Sequence, residues 1–152
     1  MRTPFVAAFS WVAGLALASA SVPAPAGTDA NTVTPLALRQ IMKELGRNMQ
    51  AITDGISRED WALIEKTAPH VADHPQPPLS ERLRLMAFAG TDAGRFKAYD
   101  GETRAAAEAV AKGASAKDGK ATILAFQRLQ TGCFNCHRQF RKPFVDHFYG
   151  AR

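Results

Sequence analysis

The sequence predicts an all-α protein built as an antiparallel four-helix bundle with up-down-up-down connectivity. No proline occurs between Pro35 and Pro69 or between Pro78 and Pro143, so nothing interrupts helix formation in these two stretches. β-Branched residues are sparse and do not alternate with polar residues over the length of a strand. Amphipathic helices joined by mostly short connections pack most simply as a bundle.

The first helix is predicted to begin at Thr34 and to reach about residue 56. Thr34 is a favourable N-cap, and Pro35 is favourable at the first helical position. Apolar side chains then recur at alternating intervals of four and three residues, as in a bundle seam. They are Leu38, Met42, Leu45, Met49, Ile52 and Ile56.

Local start and stop signals mark the other helices. Helix two is predicted to begin at Ser57 and to end before Pro75, and a short helical turn follows over residues 80–88. Gly113 is a natural end for helix three, and Pro143 ends helix four. The predicted ranges of helices three and four are 91–112 and 118–142.

The first 33 residues are predicted to lie outside the bundle. Arg2 is the only charge before Asp29, and a short apolar run ends in a small-x-small site at Ala20. This pattern is typical of a cleavable secretory signal peptide, and the run is short of the roughly 20 apolar residues of a spanning helix. We expect a signal peptide over residues 1–20, a flexible leader over 21–33 and the bundle over 34–152. The mature protein is then periplasmic, without stable membrane insertion.

Composition narrows the classes of partner. A content of 46% hydrophobic and 22% charged residues is typical of a globular domain. The net charge of +5 is dispersed, and no nucleic-acid-binding motif occurs, so we expect no nucleic-acid partner. A mildly basic surface fits an acidic protein partner or an anionic membrane face.

The chemistry is concentrated in the segment Cys133-Phe134-Asn135-Cys136-His137. This is the spacing of a c-type haem attachment motif. Residues three and four apart share one face of a helix, so the two thiols can add to the two vinyl groups of one haem. His137 then lies beneath the iron as an axial ligand. The sequence predicts one haem c, held by two thioethers near the C-terminal end of helix four.

Three other interpretations of the two cysteines fit the sequence less well. A thioredoxin-like motif follows a strand and opens a helix, whereas this pair lies late in a helix. A structural zinc ion needs four ligands, but the chain has two cysteines, and the spacing of His137 and His147 is unsuited to completing the set. A disulfide fits an oxidising compartment but leaves the adjoining histidine unexplained.

Two segments, RQIMKELGRNM over residues 39–49 and GCFNCHRQFR over 132–141, carry a family resemblance. The sequence resembles the class II c-type cytochromes, which comprise cytochrome c prime and its low-spin, six-coordinate relatives. These are exported four-helix bundles with the haem motif near the C-terminus. The resemblance implies a single-haem protein whose distal residue decides between electron transfer and gas binding, and it makes a homodimer a candidate assembly.

The resemblance also implies the second axial ligand. Low-spin members place a methionine in helix one, followed by a Lys-x-x-Gly-Arg stretch, and Met42 stands before such a stretch here. An up-down bundle independently sets the start of helix one beside the end of helix four, at the height of His137. The alternatives are a core role for Met42 and iron ligation by His70 or His74.

The remaining site residues follow from position. Arg39 and Arg141 are candidates for the haem propionates, although solvated surface charge is their ordinary role. Phe96, Tyr99 and Phe140 are candidates for lining the haem pocket. We expect an electron carrier for redox proteins, some of them acidic, and not an enzyme, since no nucleophile or proton-transfer dyad is visible. The alternative is a five-coordinate haem protein that binds nitric oxide or carbon monoxide. Peroxidase-like catalysis would need an open distal side of the haem with an acid-base residue on it. His70 is the one candidate for that residue, and only its position supports it.

Overall fold

The computed structural model describes residues 35–150, and helix runs through nearly all of them. The helices are α1 (Ala37–Ser57), α2 (Trp61–Ala72), α3 (Leu79–Ala89), α4 (Ala93–Ser115), α5 (Gly119–Cys136) and α6 (Lys142–Tyr149). A 3₁₀ turn, Gly90–Asp92, leads into α4, and a π-helical turn, His137–Arg141, joins α5 to α6. No strand occurs between residues 35 and 150, so the all-α prediction is confirmed there. The predicted signal peptide, leader and Thr34 cap lie outside the described residues.

The four long helices α1, α2, α4 and α5 pack against one another, as predicted. The most extensive contacts join α4 to α5 and to α2; α1 packs on α2 and reaches α5 over a smaller area. Their shared core is built from small and medium side chains, among them Ile52, Ile64, Val71, Val110 and Leu129, each at most 1% exposed. None of the helices within the described range is long and apolar enough to cross a bilayer.

The start of α1 is stabilised by side chains from elsewhere in the chain. The helix begins at Ala37, later than predicted, and its N-cap residue Leu36 makes no side-chain hydrogen bond. The Glu81 carboxylate of α3 accepts hydrogen bonds from the backbone N–H groups of Ala37 (2.8 Å) and Leu38 (2.7 Å). The Tyr149 hydroxyl accepts one from the N–H of Leu36 (3.0 Å). Pro35 therefore precedes the helix, and the prediction that it occupies the first helical position was wrong.

The break between α1 and α2 lies further along the chain than predicted. Ser57 is the last residue of α1 rather than the first residue of helix two. Glu59 then adopts a left-handed backbone with φ of 55°, which turns the chain. Asp60 caps α2 by accepting a hydrogen bond from the N–H of Leu63 at 3.0 Å.

Gly113 is a packing residue and not a helix end. The α4 helix continues through Ser115, and Gly113 is buried where α5 approaches. A Cβ atom at Gly113 would lie 2.7 Å from the Thr122 hydroxyl oxygen and 2.9 Å from the Thr122 backbone nitrogen. The missing side chain thus permits a close helix–helix approach. The prediction that Gly113 ends the helix was wrong because it considered the local chain alone.

Pro143 also fails to end helical structure. The chain passes from α5 through the π-helical turn into α6, whose first turn contains Pro143. Proline lacks an N–H and its ring clashes with the carbonyl four residues earlier in an α-helix. A wider π turn just before it removes that conflict, so helix continues to Tyr149.

We predict that Gly113→Ala lowers the free energy of unfolding by about 1–3 kcal/mol, because the new methyl group meets the Thr122 backbone. Gly101 is the matched control in the same helix, since a Cβ there meets nothing within 4 Å. Gly101→Ala should raise stability by up to about 1 kcal/mol. Urea unfolding followed by circular dichroism measures both. Equal stability of Gly113→Ala and the wild type would contradict the close approach.

Candidate functional site

An open, mainly apolar cleft of about 740 Å³ lies among α1, α3, α4 and the C-terminal end of α5. This volume is within the usual range of small-molecule and cofactor sites, roughly 300–1,000 Å³. Large apolar side chains stand exposed on its walls: Leu79 (63%), Leu83 (63%), Phe134 (62%) and Met42 (38%). Such a concentration of exposed apolar surface is typical of a site for a large apolar group.

The three chemistry-bearing residues of the Cys-x-x-Cys-His motif all line this cleft. Cys133 and Cys136 come from the last turns of α5, and His137 is the first residue of the π-helical turn. Neither cysteine is in a disulfide. The helical spacing therefore brings both thiols and the imidazole to one cavity, as the sequence predicted.

The two thiols are held in their neutral form. Burial raises the pKa of Cys133. Burial, with smaller contributions from Cys133 and Asp100, raises the pKa of Cys136 to about 11. A disulfide oxidoreductase needs a thiolate and therefore a lowered cysteine pKa. The electrostatics consequently disfavour the thioredoxin-like alternative.

His137 is tuned in the direction that metal ligation requires. Burial, and secondarily the charge of Arg141, lowers the pKa of the imidazole. A lower pKa favours the neutral ring, whose free nitrogen can bind a metal ion. Arg141 thus affects the site electrostatically, although it is not among the residues lining the cleft.

Met42 stands on the α1 wall of the same cleft. Its neighbour Ile41 is only 7% exposed and Ile52 further along α1 is fully buried, so Met42 departs from the buried seam of the helix. Met49, two turns later, also lines the cleft but packs against the main core. The structure therefore brings Met42 into one cavity with the cysteine motif.

The predicted aromatic residues form two layers. Phe96 and Tyr99 of α4 line the cleft. Phe140 is buried behind them, with its ring centroid 5.3 Å from that of Phe96 and 6.4 Å from that of Tyr99, both edge-to-face. The Tyr99 hydroxyl also lies 3.4 Å from the side-chain oxygen of Gln139, to which it donates. Phe140 supports the aromatic wall rather than lining the cavity.

Cationic side chains on the cleft wall differ from those predicted. The guanidinium of Arg39 lies 5.6 Å from the ring centroid of Tyr149, and Arg39 is not among the lining residues. Arg82 of α3 and Lys97 of α4 line the cleft instead. Sequence reasoning missed Arg82 because it treated this region as a short turn. The spacing of Leu79, Leu83 and Met86, by four and then three residues, is the signal that could have revealed α3.

The histidines considered as rival iron ligands occupy different settings. His70 is exposed and does not line the cleft. His74 lines it, but its Nδ1 lies 2.8 Å from the Val71 carbonyl oxygen and its Nε2 lies 3.0 Å from an oxygen of Asp100. Arg104 donates to the other oxygen of Asp100 at 2.9 Å and to the His74 carbonyl at 3.0 Å. Both ring nitrogens of His74 are thus engaged, which favours Met42 over either histidine.

Comparison with known proteins finds no match: no family model, no curated protein and no solved structure matches the chain. Within residues 35–150, no group of three or more His, Cys, Asp or Glu side chains is arranged to hold a metal ion. The cleft and the residues that line it are therefore the features that indicate a function.

We predict an acid-dependent loss of stability from Asp100. The hydrogen bond with His74, aided by the hydrogen bond and charge of Arg104, outweighs burial and lowers the pKa of Asp100 from 3.8 to about 2. The ionised carboxylate therefore stabilises the fold above pH 3.8, and this contribution is lost as the pH falls toward 2. After discounting for partial exposure, Asp100→Asn should cost about 1 kcal/mol at neutral pH.

Urea unfolding between pH 7 and pH 2 tests this expectation. The difference between wild type and Asp100→Asn should shrink below pH 4 and vanish near pH 2. Asp54 is the control, because its ion pair with Arg58 is exposed on both sides, and Asp54→Asn should change little. A stability difference for Asp100→Asn that does not depend on pH would contradict the mechanism.

Proposed function

We propose that this protein is a periplasmic c-type cytochrome that carries one haem c and transfers single electrons. The observation that carries the proposal is the convergence of Cys133, Cys136 and His137 on one wall of an apolar cleft. Two thiols three residues apart, followed directly by an imidazole, are the donor set for covalent haem attachment. When bound, the haem supplies an iron centre that accepts and releases one electron.

The residues present fit this group chemically. Cys133 and Cys136 would form the two thioethers, and the neutral imidazole of His137 would bind the iron. The apolar macrocycle requires apolar walls, and the exposed side chains of Leu79 and Leu83 provide them. Covering these side chains would also remove apolar surface from water, which stabilises the assembled protein.

Met42 is the proposed second axial ligand. Met42, which is 38% exposed, lines the same cleft as His137 but belongs to α1 rather than to α5 or the turn that follows it. His137 and Met42 together would hold the iron through two side chains in both oxidation states, so little rearrangement would accompany electron transfer. Methionine also raises the reduction potential relative to a second histidine.

An up-down-up-down arrangement underlies this pairing. Consecutive helices α1 and α2 pack together, as do α4 and α5, and the contact of α1 with α5 closes the ring. The three-residue connections after α1 and after α4 favour antiparallel neighbours. The hydrogen bond between Leu36 and Tyr149 supports placing the start of α1 near the C-terminal segment that follows His137.

Export and partner choice complete the proposal. The apolar N-terminal segment directs the chain to the periplasm, where haem is attached. Arg82 and Lys97 give the cleft a cationic edge, which suits an acidic redox protein because charge complementarity accelerates encounter.

We predict that the mature protein, made in cells competent for cytochrome c maturation, has the mass of residues 21–152 plus one haem. The haem should remain attached after denaturation, because two thioethers hold it. Replacing both Cys133 and Cys136 with Ala should let acidified acetone extract all of the haem, whereas either single change should leave one thioether. Intact-protein mass spectrometry measures each case. An unmodified wild-type polypeptide would refute the proposal.

We predict that Met42→Leu converts the iron from low-spin to high-spin and lets the ferrous form bind carbon monoxide, since leucine cannot ligate. The fold should survive at a cost below about 1.5 kcal/mol, because the swap nearly conserves volume. Met49→Leu removes the other methionine sulfur of α1; because Met49 packs against the main core, the iron should stay low-spin and closed to carbon monoxide in this control. A wild type that is already high-spin and binds carbon monoxide would favour the gas-binding function instead.

A further inference from the structure

The first backbone donors of α1 depend on side chains that are remote in sequence. A helix leaves its first N–H groups without internal partners. In α2 and α5, the residue preceding the helix supplies the acceptor, Asp60 and Asp118 respectively. In α1, by contrast, Glu81 binds two of these donors and Tyr149 binds the N–H just before them.

Glu81 is suited to hold α1 firmly. Its residue is only 8% exposed, and both carboxylate oxygens are used by backbone donors, at 2.7 and 2.8 Å. Negative charge at a helix N-terminus is stabilised by the helix dipole, and charge-assisted hydrogen bonds are stronger than neutral ones. Withdrawal of α1 would leave a buried carboxylate without partners, which is costly. The contact therefore ties α3 and α1 to each other.

Tyr149 connects the start of α1 to the C-terminal segment that follows His137. It is the last residue of α6, which continues directly from the π-helical turn that begins at His137. Its hydroxyl reaches Leu36, one residue before α1. The α6 helix is itself packed on α3, with the ring centroid of Phe88 5.8 Å from Phe144 and 5.6 Å from Phe148. The segments that carry the two proposed iron ligands are thus connected through Tyr149.

We propose that Glu81 is a positioning residue for Met42, with Tyr149 as its auxiliary. This rests on the proposed function, since it assumes that Met42 binds iron. Met42 lies within the first two turns of α1, the part of a helix that frays most readily. A thioether is a neutral ligand, so its occupancy on the iron depends on how firmly the helix presents it. Glu81 suppresses fraying and would thereby keep Met42 on the iron, although its hydrogen bonds are to backbone groups and to neither ligand.

The test compares Glu81→Ala with Asp60→Ala. Both changes delete a carboxylate that caps a helix N-terminus, but the α2 helix capped by Asp60 carries no proposed ligand. Amide hydrogen exchange over residues 37–42 and carbon monoxide binding by the ferrous holoprotein are the two readouts. In Glu81→Ala, the amide protons of residues 37–42 should exchange roughly tenfold faster than in the wild type, and a fraction of the ferrous protein should bind carbon monoxide. Asp60→Ala should change neither.

The outcomes separate this inference from the function on which it rests. Suppose that Met42→Leu opens the iron to carbon monoxide, whereas Glu81→Ala accelerates amide exchange without any carbon monoxide binding. Glu81 is then only structural, and the inference is overturned. If Met42→Leu has no effect, both the ligation and the inference are overturned. Should Glu81→Ala fail to fold, two milder variants replace it: Glu81→Gln, which keeps one acceptor oxygen, and Tyr149→Phe. Each should give a carbon monoxide-binding fraction above that of the wild type but smaller than that of Met42→Leu. Wild-type behaviour in both would overturn the inference.

Discussion

The close approach of α4 and α5 at two glycines determines where the cysteine motif meets the cleft. Gly113 faces Thr122 at one end of this contact, and a Cβ at Gly132 would lie 3.1 Å from the Thr103 hydroxyl at the other. With two such contacts, α5 can neither rotate about its axis nor move away without losing close packing. Gly132 immediately precedes Cys133, so this fixed rotation decides the direction in which the thiols emerge. Asn135, between the cysteines, accordingly lies in a second groove on the outer side of the α4–α5 pair.

Local sequence patterns predicted most of the helices and the grouping of Cys133, Cys136 and His137, because both depend on spacing within one helix. Met42, which was expected there from the resemblance and from bundle geometry, lines the same cavity, whereas the predicted Arg39, Arg141 and Phe140 do not. The predictions were wrong where a residue that is typical of a local feature, such as a helix end, instead makes a tertiary contact. Gly113 is a plausible helix end from its neighbours alone, and only the presence of Thr122 reveals its packing role. The cap supplied by Glu81 joins residues more than 40 positions apart, so no local pattern announces it.

Two groups of polar side chains on the cleft differ in their electrostatics. Burial shifts the thiols and His137 toward their neutral forms, and the neutral imidazole is the form that can bind a metal ion. Asp100, by contrast, is ionised and is hydrogen-bonded to both His74 and Arg104. Partly buried charged groups are stabilised when their hydrogen bonds are satisfied within the protein. The cluster of Asp100, His74 and Arg104 therefore shapes the wall through its own internal contacts.

The π-helical turn that begins at His137 connects the cleft wall to the start of α1 through α6. One extra residue in a turn rotates everything that follows by about 100° relative to an uninterrupted helix. That rotation changes the face that α6 presents, and its aromatic rings meet Phe88 of α3. It also brings Tyr149 to the start of α1. Pro143, which is incompatible with a regular helix at this point, therefore favours the turn that directs α6 toward the start of α1.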